Sequence, residues 1–362
     1  MAAYRYLLCD LLTDTLVTTL PLTGVTFDRR ISRTGSLQAT LSATTPQLVA
    51  AARLVQRYTG RCALWVLRDN TIWWGGIIWT APASQGQRGP VELAITAATF
   101  DSYAAHRLLD ADRNYDQVDA GVIVPDLWRA IQADPRGDIG VQAPDQPMGV
   151  LLDRDYLADD QAYVGTMITE IGDVLAGPEH TIDTYLDPAG TRTKRLRLAA
   201  TLGMTTATTL FQRAVGGGGR LLEWNDTVDA LDGGTTFTLR GDGATTPRVY
   251  ADTLLDQGWP LLDVTADRLD IDDDAQLAQQ AQVLAADRAG SIRTRGYTVQ
   301  VGDTGWSPNR LGDPVRIKIA DAWHDPIQMP GSSDFTVRPV GVKVTPTSNT
   351  GAETVELLFG DD

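Results

Sequence analysis

The chain has 362 residues, with 46 acidic against 31 basic side chains and a formal net charge of −15. That balance argues against a basic patch that binds nucleic acid through its phosphates, and the length suffices to bury a large core without disulfide or metal staples. Cys9 and Cys62 lie in apolar runs with no CxxC partner and read as small buried thiols. No apolar run approaches the roughly 18 residues of a membrane span, so a soluble protein is expected.

The opening stretch MAAYRYLLCDLLTDTLVTTLPL is interrupted by Asp10 and Asp14 and has no cleavage pattern, so it reads as strands and not as a signal peptide. From Gly24 to Ala43, partial alternation around Gly35 predicts two strands joined by a turn. A helix follows, with Thr45 as N-cap, Pro46 at the first helical position, an apolar face of Leu48, Ala51, Ala52 and Val55, and Gly60 past its end. RCALWVLRDNTIWWGGIIWT reads as a hairpin turned at Asp69-Asn70, a pair that accepts positive φ. Gly75-Gly76 is expected to bulge and reset the register. Trp73, Trp74 and Trp79 then cannot form one flat platform, and they are expected in a barrel core or a subunit contact.

After VELAITAATFDSYAAHRLL, helices are predicted over 117–133 and 161–176, the first with Val124, Leu127, Trp128 and Ile131 at helical spacing. HTIDTYLDPAGTRTKRLRLA, His180 to Ala199, is a hairpin turned at Asp187-Pro188-Ala189-Gly190. This middle third is α+β. Gly216 to Gly219 lack the Lys and Ser or Thr of a phosphate loop, and they read as a flexible connector and domain boundary. Beyond them, Trp224, Gly233 and Thr238-Leu239 echo Phe27, Gly35 and Thr40-Leu41, as a duplicated barrel half would. Between Ala251 and Ala275 stand eight aspartates against one arginine. Two readings stay open there: a solvated peripheral insert, or a wall that repels DNA phosphate. The helix DDAQLAQQAQVLAADRAG ends at Gly290, and RTRGYTVQV, LGDPVRIKIA, FTVRPVGVKVT and ETVELLFG read as strands.

No catalytic, cofactor-binding or metal-binding residue is assigned, and no enzyme or cofactor is expected. Asp270, Asp272 and Asp274 mimic the first ligands of a calcium loop, but Ala275 replaces the turn glycine and Ala281 the bidentate glutamate. His106, His180 and His324 lack metal-ligand spacing, and neither a GxSxG elbow nor an HExxH pair occurs. Abundant carboxylates are not by themselves a glycosidase pair. Arg192, Lys194, Arg195 and Arg197 are expected to form a solvated strand face.

Taken in order, GVTFDRRISRTGSLQATLSA, WVLRDNTIWWGGIIWTAP, LGDPVRIKI and RPVGVKVTPTSNTGAETVELLFG resemble the hub-type minor tail proteins of long-tailed phages, especially those infecting actinobacteria. The likeness spans nearly the whole chain. It implies a mainly β fold with an α+β insert: two barrel-like hub domains per subunit, plus smaller α/β domains. In a homotrimer these barrels form a pseudo-sixfold ring that meets the hexameric tail tube. The implied domains are a first barrel-like hub domain at 1–109, an α+β middle domain at 110–214, a second barrel-like hub domain at 215–250 and 291–362, and a small acidic insert with a helix at 251–290. The resemblance further implies a virion structural protein of the tail tip or baseplate, made in the bacterial host cytoplasm. It would let DNA pass during ejection without sequence-specific binding. Implied partners are distal tail or tail tube proteins, the tape measure protein and other minor tail or receptor-binding proteins. No C-terminal hydrolase or fibre extension is expected. The alternative is a receptor- or carbohydrate-binding tail module, whose tryptophans would be exposed, and a cell-wall hydrolase rests on carboxylate abundance alone. A fragment ending near Leu109 is expected to stay soluble.

Overall fold

Along Ser36–Ala43 every second residue, Leu37, Ala39, Leu41 and Ala43, is buried, the mark of a strand with one face in a core. The computed structural model describes residues 2–174, 176–203, 209–213, 219–241, 248–268, 274–302, 304–321, 323–324, 334–347 and 352–359. The chain begins with β1 (Tyr4–Asp10), β2 (Leu16–Leu20), β3 (Thr23–Arg30), β4 (Ser36–Ala43), α1 (Pro46–Arg57), β5 (Cys62–Arg68), β6 (Thr71–Thr80), β7 (Ala83–Ser84) and β8 (Val91–Thr99). It continues through β9 (Arg113–Asp119), α2 (Ala120–Ile131), β10 (Val141–Gln142), β11 (Leu151–Tyr156), α3 (Val164–Gly172), β12 (Glu179–Leu186), β13 (Arg192–Ala199), β14 (Thr209–Arg213) and β15 (Leu221–Asp229). The last third holds β16 (Thr236–Gly241), β17 (Arg248–Tyr250), α4 (Asp252–Asp256), β18 (Asp263–Arg268), α5 (Asp274–Arg288), β19 (Ile292–Val299), β20 (Val315–Ile319), β21 (Asp334–Val337), β22 (Gly341–Thr345) and β23 (Thr354–Leu358). The fold is mainly β, in several sheets with few helices.

The chain divides into two compact units, Met1–Glu223 with Tyr297–Asp362, and Trp224–Gly296. In the first unit, one sheet runs β23-β22-β3-β4-β8-β6-β5-β1-β2, so the C-terminal hairpin pairs with the N-terminal strands. Two further sheets, β10-β13-β12 and β11-β9, come from the middle third, and β14-β20-β21 form another. Helix α1 is capped as expected: Thr45 accepts the Leu48 N–H at 3.3 Å, and Gly60 follows with φ +80°.

The Trp-rich hairpin turns where expected, with Asp69 and Asn70 at φ +46° and +68°. Its bulge lies elsewhere. Val66 faces Trp74 and Leu67 faces Ile72, so the extra residue is Trp73, while Gly75 and Gly76 keep regular register opposite Trp65 and Leu64. The glycines answer a demand for space. A Cβ on Gly75 would sit 2.8 Å from the Trp65 ring, and one on Gly76 would sit 2.1 Å from the Ala98 carbonyl oxygen.

One apolar core joins the first strands to the middle third. Leu7, Cys9, Trp65, Ile72 and Ile77 pack with Val124, Leu127 and Trp128 of α2, Ile168 of α3, and Ile182 and Leu196 of the β12–β13 hairpin. The expected boundary at 109/110 therefore separates elements that share a core. The basic strand also departs from expectation. Lys194 is 4% exposed, and Arg192 and Arg197 are partly buried against Asp14 and Asp183. Of that cluster only Arg195 is exposed, because β13 lies within the core and presents consecutive residues Thr193 and Lys194 inward.

In the second unit, β16 lies between β17 and β18, and Leu239 packs on Leu277 and Ala281 of α5. Two expectations change here. β3 and β4 are direct neighbours, whereas β15 and β16 belong to different sheets, so the sequence echo is not a repeated hairpin. β16 pairs in parallel with β18 from Thr236↔Asp263 to Gly241↔Arg268, which ties residues assigned to a barrel to residues assigned to the insert. Gly216, Gly217 and Gly218 of the expected connector, and Asp270 and Asp272 of the calcium-like run, lie outside the described residues.

Candidate functional site

A cleft of about 770 Å3 lies in the first unit, between the β3–β4 turn, the 3-10 helix Phe100–His106, α3 and the start of β12. Trp128, Ile168, Ile182 and Leu196 line its apolar part, and Arg30, Ser32, Asp101, Thr166, Glu179 and His180 its polar part. The turn is held to β12 at two points: the Ser32 N–H donates to the His180 carbonyl at 2.8 Å, and the His180 N–H donates to Ser32 Oγ at 3.2 Å. Gly165 lets α3 approach the 3-10 helix, since a Cβ there would lie 2.9 Å from the Ala105 nitrogen.

The charged groups around the cleft are largely spoken for. Glu179 accepts from the Leu202 N–H at 2.7 Å and from the Arg338 guanidinium, and Arg30 Nε meets Asp28 at 3.2 Å. Burial pushes the Asp101 carboxyl above the usual range, opposed by hydrogen bonds from Thr99 and Thr34 and by the Arg29 charge. Burial likewise holds the His180 imidazole down to about 4, so it is neutral near pH 7. A base that weak is poorly matched to proton abstraction at neutral pH. Ser32 meets the backbone of His180 and not its ring, so no activated nucleophile is assembled. The cleft can seat a group that matches an apolar floor and a polar rim.

None of these residues was singled out from the sequence as a site. Ser32, Asp101 and His180 come from three distant segments, and only the fold brings them together. His106 packs instead on the Trp79 ring, with centroids 4.3 Å apart, and His324 Nδ1 lies 2.9 Å from Asp321 Oδ1. Among the described residues no group of three or more His, Cys, Asp or Glu is placed to hold a metal ion, and no helix is long and apolar enough to cross a membrane. Both cysteines are free and buried, and burial pushes each thiol up to about 11.

Three tryptophans of the hairpin are core, whereas Trp79 is partly buried and Trp323, elsewhere, is exposed. Trp65, Trp73 and Trp74 are at most 2% exposed. The Trp65 indole N–H donates to Asp14 at 2.9 Å, that of Trp74 to the Asp28 carbonyl at 3.0 Å, and that of Trp79 to Ser102 Oγ at 2.9 Å. Buried this deeply, Trp65, Trp73 and Trp74 present no stacking face. Asp252, Asp256, Asp263, Asp267 and Asp274 of the acidic stretch are exposed to solvent.

No family model matches the chain, and no curated protein matches it in sequence. Solved structures do. A tail protein from Neisseria meningitidis superposes with a TM-score of 0.60 at 15% identity, covering 99% of this chain and 97% of that one. The 43 kDa tail protein of prophage MuSo2 from Shewanella oneidensis gives 0.60 at 10% identity, covering 98% and 97%. The prophage tail protein gp18 from Listeria monocytogenes gives 0.50 at 12% identity, covering 98% and 94%. From end to end, the chain shares its fold with tail proteins from three different bacteria.

Proposed function

We propose that this protein is a structural component of a phage tail, the tail-tip or baseplate hub, and that it carries no enzymatic activity of its own. The observation that carries the reading is the likeness of fold over the full length of solved tail proteins. Burial of Trp65, Trp73 and Trp74 supports it against a carbohydrate-binding module, which needs exposed rings. In this reading the protein is a homotrimer whose ring connects the tail tube to distal tip proteins and the tape measure protein, and DNA passes through during ejection. The net charge of −15 suits passage, because acidic walls repel phosphate and do not retain it. Residues 1–109 contribute the first barrel-like domain. The second is drawn from the segments flanking Trp224–Gly296, so the insert first placed at 251–290 grows to that whole compact unit.

Light scattering and negative-stain electron microscopy of the purified chain test the proposal. Threefold rings are the expected outcome, and gold labelling of intact particles should place the protein at the tail tip. A label on the capsid or the tail shaft would refute the hub assignment. Activity against host cell walls in zymography would refute the non-enzymatic part.

A further inference from the structure

We infer that one end of the sheet in the second unit is a docking surface for a basic, amphipathic segment of another protein. Hydrogen bonds gather three segments there. The Gly234 N–H donates to the Arg288 carbonyl at 2.9 Å and the Gly234 carbonyl accepts from the Gly290 N–H at 2.8 Å, which ties the turn before β16 to the end of α5. Thr235 holds the segments on either side of it. Its N–H donates to the Leu262 carbonyl and its carbonyl accepts from the Ala251 N–H, both at 2.9 Å, while its hydroxyl donates to the Pro260 carbonyl and accepts from the Leu262 N–H, also at 2.9 Å. The closeness requires glycine, since a Cβ on Gly233 would sit 1.8 Å from the Gly290 carbonyl oxygen.

These segments keep apolar side chains outside the unit's small core of Leu239, Leu277 and Ala281. Leu231 is 91% exposed and Leu261 64%, and Leu254, Leu255 and Trp259 are only partly buried. A Cβ on Gly290 would lie 3.2 Å from Leu254 Cδ1 and 3.7 Å from the Trp259 ring, so these two side chains meet over the end of α5. An exposed apolar patch rimmed by polar groups marks an interaction site. Its backbone is already fixed, so docking costs little ordering.

The charges around the patch define its partner. Segments 229–235, 250–263 and 287–290 carry six aspartates against one arginine, Arg288. Asp263 is matched by Arg248 at 3.5 Å, but Asp232, Asp252 and Asp256 are exposed and make no ion pair among the described residues. They border the apolar side chains directly: Asp232 follows Leu231, and Asp252 and Asp256 bracket Leu254 and Leu255. A partner whose lysines or arginines edge an apolar stripe satisfies both features at once, as an amphipathic helix does when it lays one face on a groove. The same patch of a second copy would set aspartate against aspartate, and a nucleic-acid backbone would be repelled.

The test titrates the full chain with a synthetic Leu/Lys amphipathic peptide of about 18 residues, long enough to hold a helix in water, beside a Ser/Lys peptide of equal charge and a Leu/Glu helix. Fluorescence anisotropy of the labelled peptides reads affinity, and hydrogen exchange over 229–235 and 250–263 reads the place. The Leu/Lys helix should bind at least about tenfold more tightly than either other peptide, protect those two segments, and weaken as salt is raised. Leu231→Ser and the double variant Asp252→Asn/Asp256→Asn should each keep the wild-type melt and cut that affinity at least about fivefold. Glu92→Gln/Asp116→Asn, at exposed positions of the first unit, removes the same charge and should leave the affinity unchanged. If Leu231→Ser lowers the melt, Leu261→Ser repeats the measurement. Equal binding of the Leu/Lys and Ser/Lys peptides, an equal loss in the Glu92 and Asp116 variant, or protection confined to other segments overturns the proposal. Self-association of the wild type that Leu231→Ser abolishes in light scattering overturns it too, and assigns the surface to a second copy.

Discussion

Glu353→Gln should destabilise the first unit out of proportion to the single atom it changes. Glu353 Oε2 accepts from the Tyr4 hydroxyl and from Arg68 Nε, both at 2.6 Å, and Oε1 accepts from Arg68 Nη2 at 2.9 Å. The Arg68 and Glu353 side chains are only 14% and 9% exposed, and the guanidinium lies 4.6 Å over the Trp73 ring. These contacts fasten β1 and β5 to the residue preceding β23. Glutamine fills the same space but leaves the guanidinium, among the described residues, with Asp69 alone, 3.4 Å away and about half exposed, as counter-charge. Stranding one member of a buried ion pair costs about 3–5 kcal/mol, and Asp69 together with partial solvent access puts this case near about 3. In a unit of this size that lowers the melting temperature by about 5 °C. Urea melts of wild type, Glu353→Gln, Arg68→Met and the double variant form the assay, and the double variant should recover most of the loss, since neither charge remains buried alone. A change below about 0.5 kcal/mol for Glu353→Gln, the size expected of an exposed pair, would refute the reasoning.

Gly76→Ala should cost about 1–3 kcal/mol in a urea melt, because its Cβ would meet the Ala98 carbonyl oxygen at 2.1 Å. Gly60→Ala, at φ +80° with nothing within 4 Å, should cost only about 1 kcal/mol from backbone strain. Lys194→Met should stabilise the protein near neutral pH, since the ammonium is buried against the Ile139 carbonyl and the Phe100 ring without an ion-pair partner among the described residues. Burial lowers the Lys194 pKa, so above that folded value the unfolded chain binds more protons, and wild-type stability should rise with pH toward about 10.4. Urea melts at neutral and alkaline pH should show that rise for wild type and not for Lys194→Met. Iodide should quench mainly Trp323, which is 58% exposed, so Trp323→Phe should lose the largest share of accessible emission, and added glycans should leave the rest unchanged.

Local chemistry was legible in the sequence. Thr45 before Pro46, Asp69-Asn70 between apolar runs, and Gly290 past a helix each act within a few residues, so their composition announces the conformation. What escaped depends on partners across the fold. Gly75-Gly76 looked like a bulge, but the need came from the Trp65 ring and the Ala98 carbonyl on neighbouring strands. Lys194 looked solvated because a charge is ordinarily outside, and only the packing of β13 shows it beneath Phe100 and Trp65. The cleft had no local signature, since Ser32, Asp101 and His180 are ordinary residues until the β3–β4 turn docks on β12.

The core shared by the first strands and the middle third bears on how such chains can be recombined. A junction between residues 109 and 110 would set a foreign middle segment against a sheet face shaped to Trp128, Ile168 and Leu196, and a fragment ending there would leave Trp65, Ile72 and Ile77 uncovered. Those two stretches must be inherited together. The Trp224–Gly296 unit has its own core in Leu239, Leu277 and Ala281. Foreign sequence exchanged between β15 and β19, at 229/230 and 291/292, should therefore be accepted where the same exchange at 109/110 yields insoluble chain, which makes this stretch the place where the chain can change length without rebuilding its scaffold.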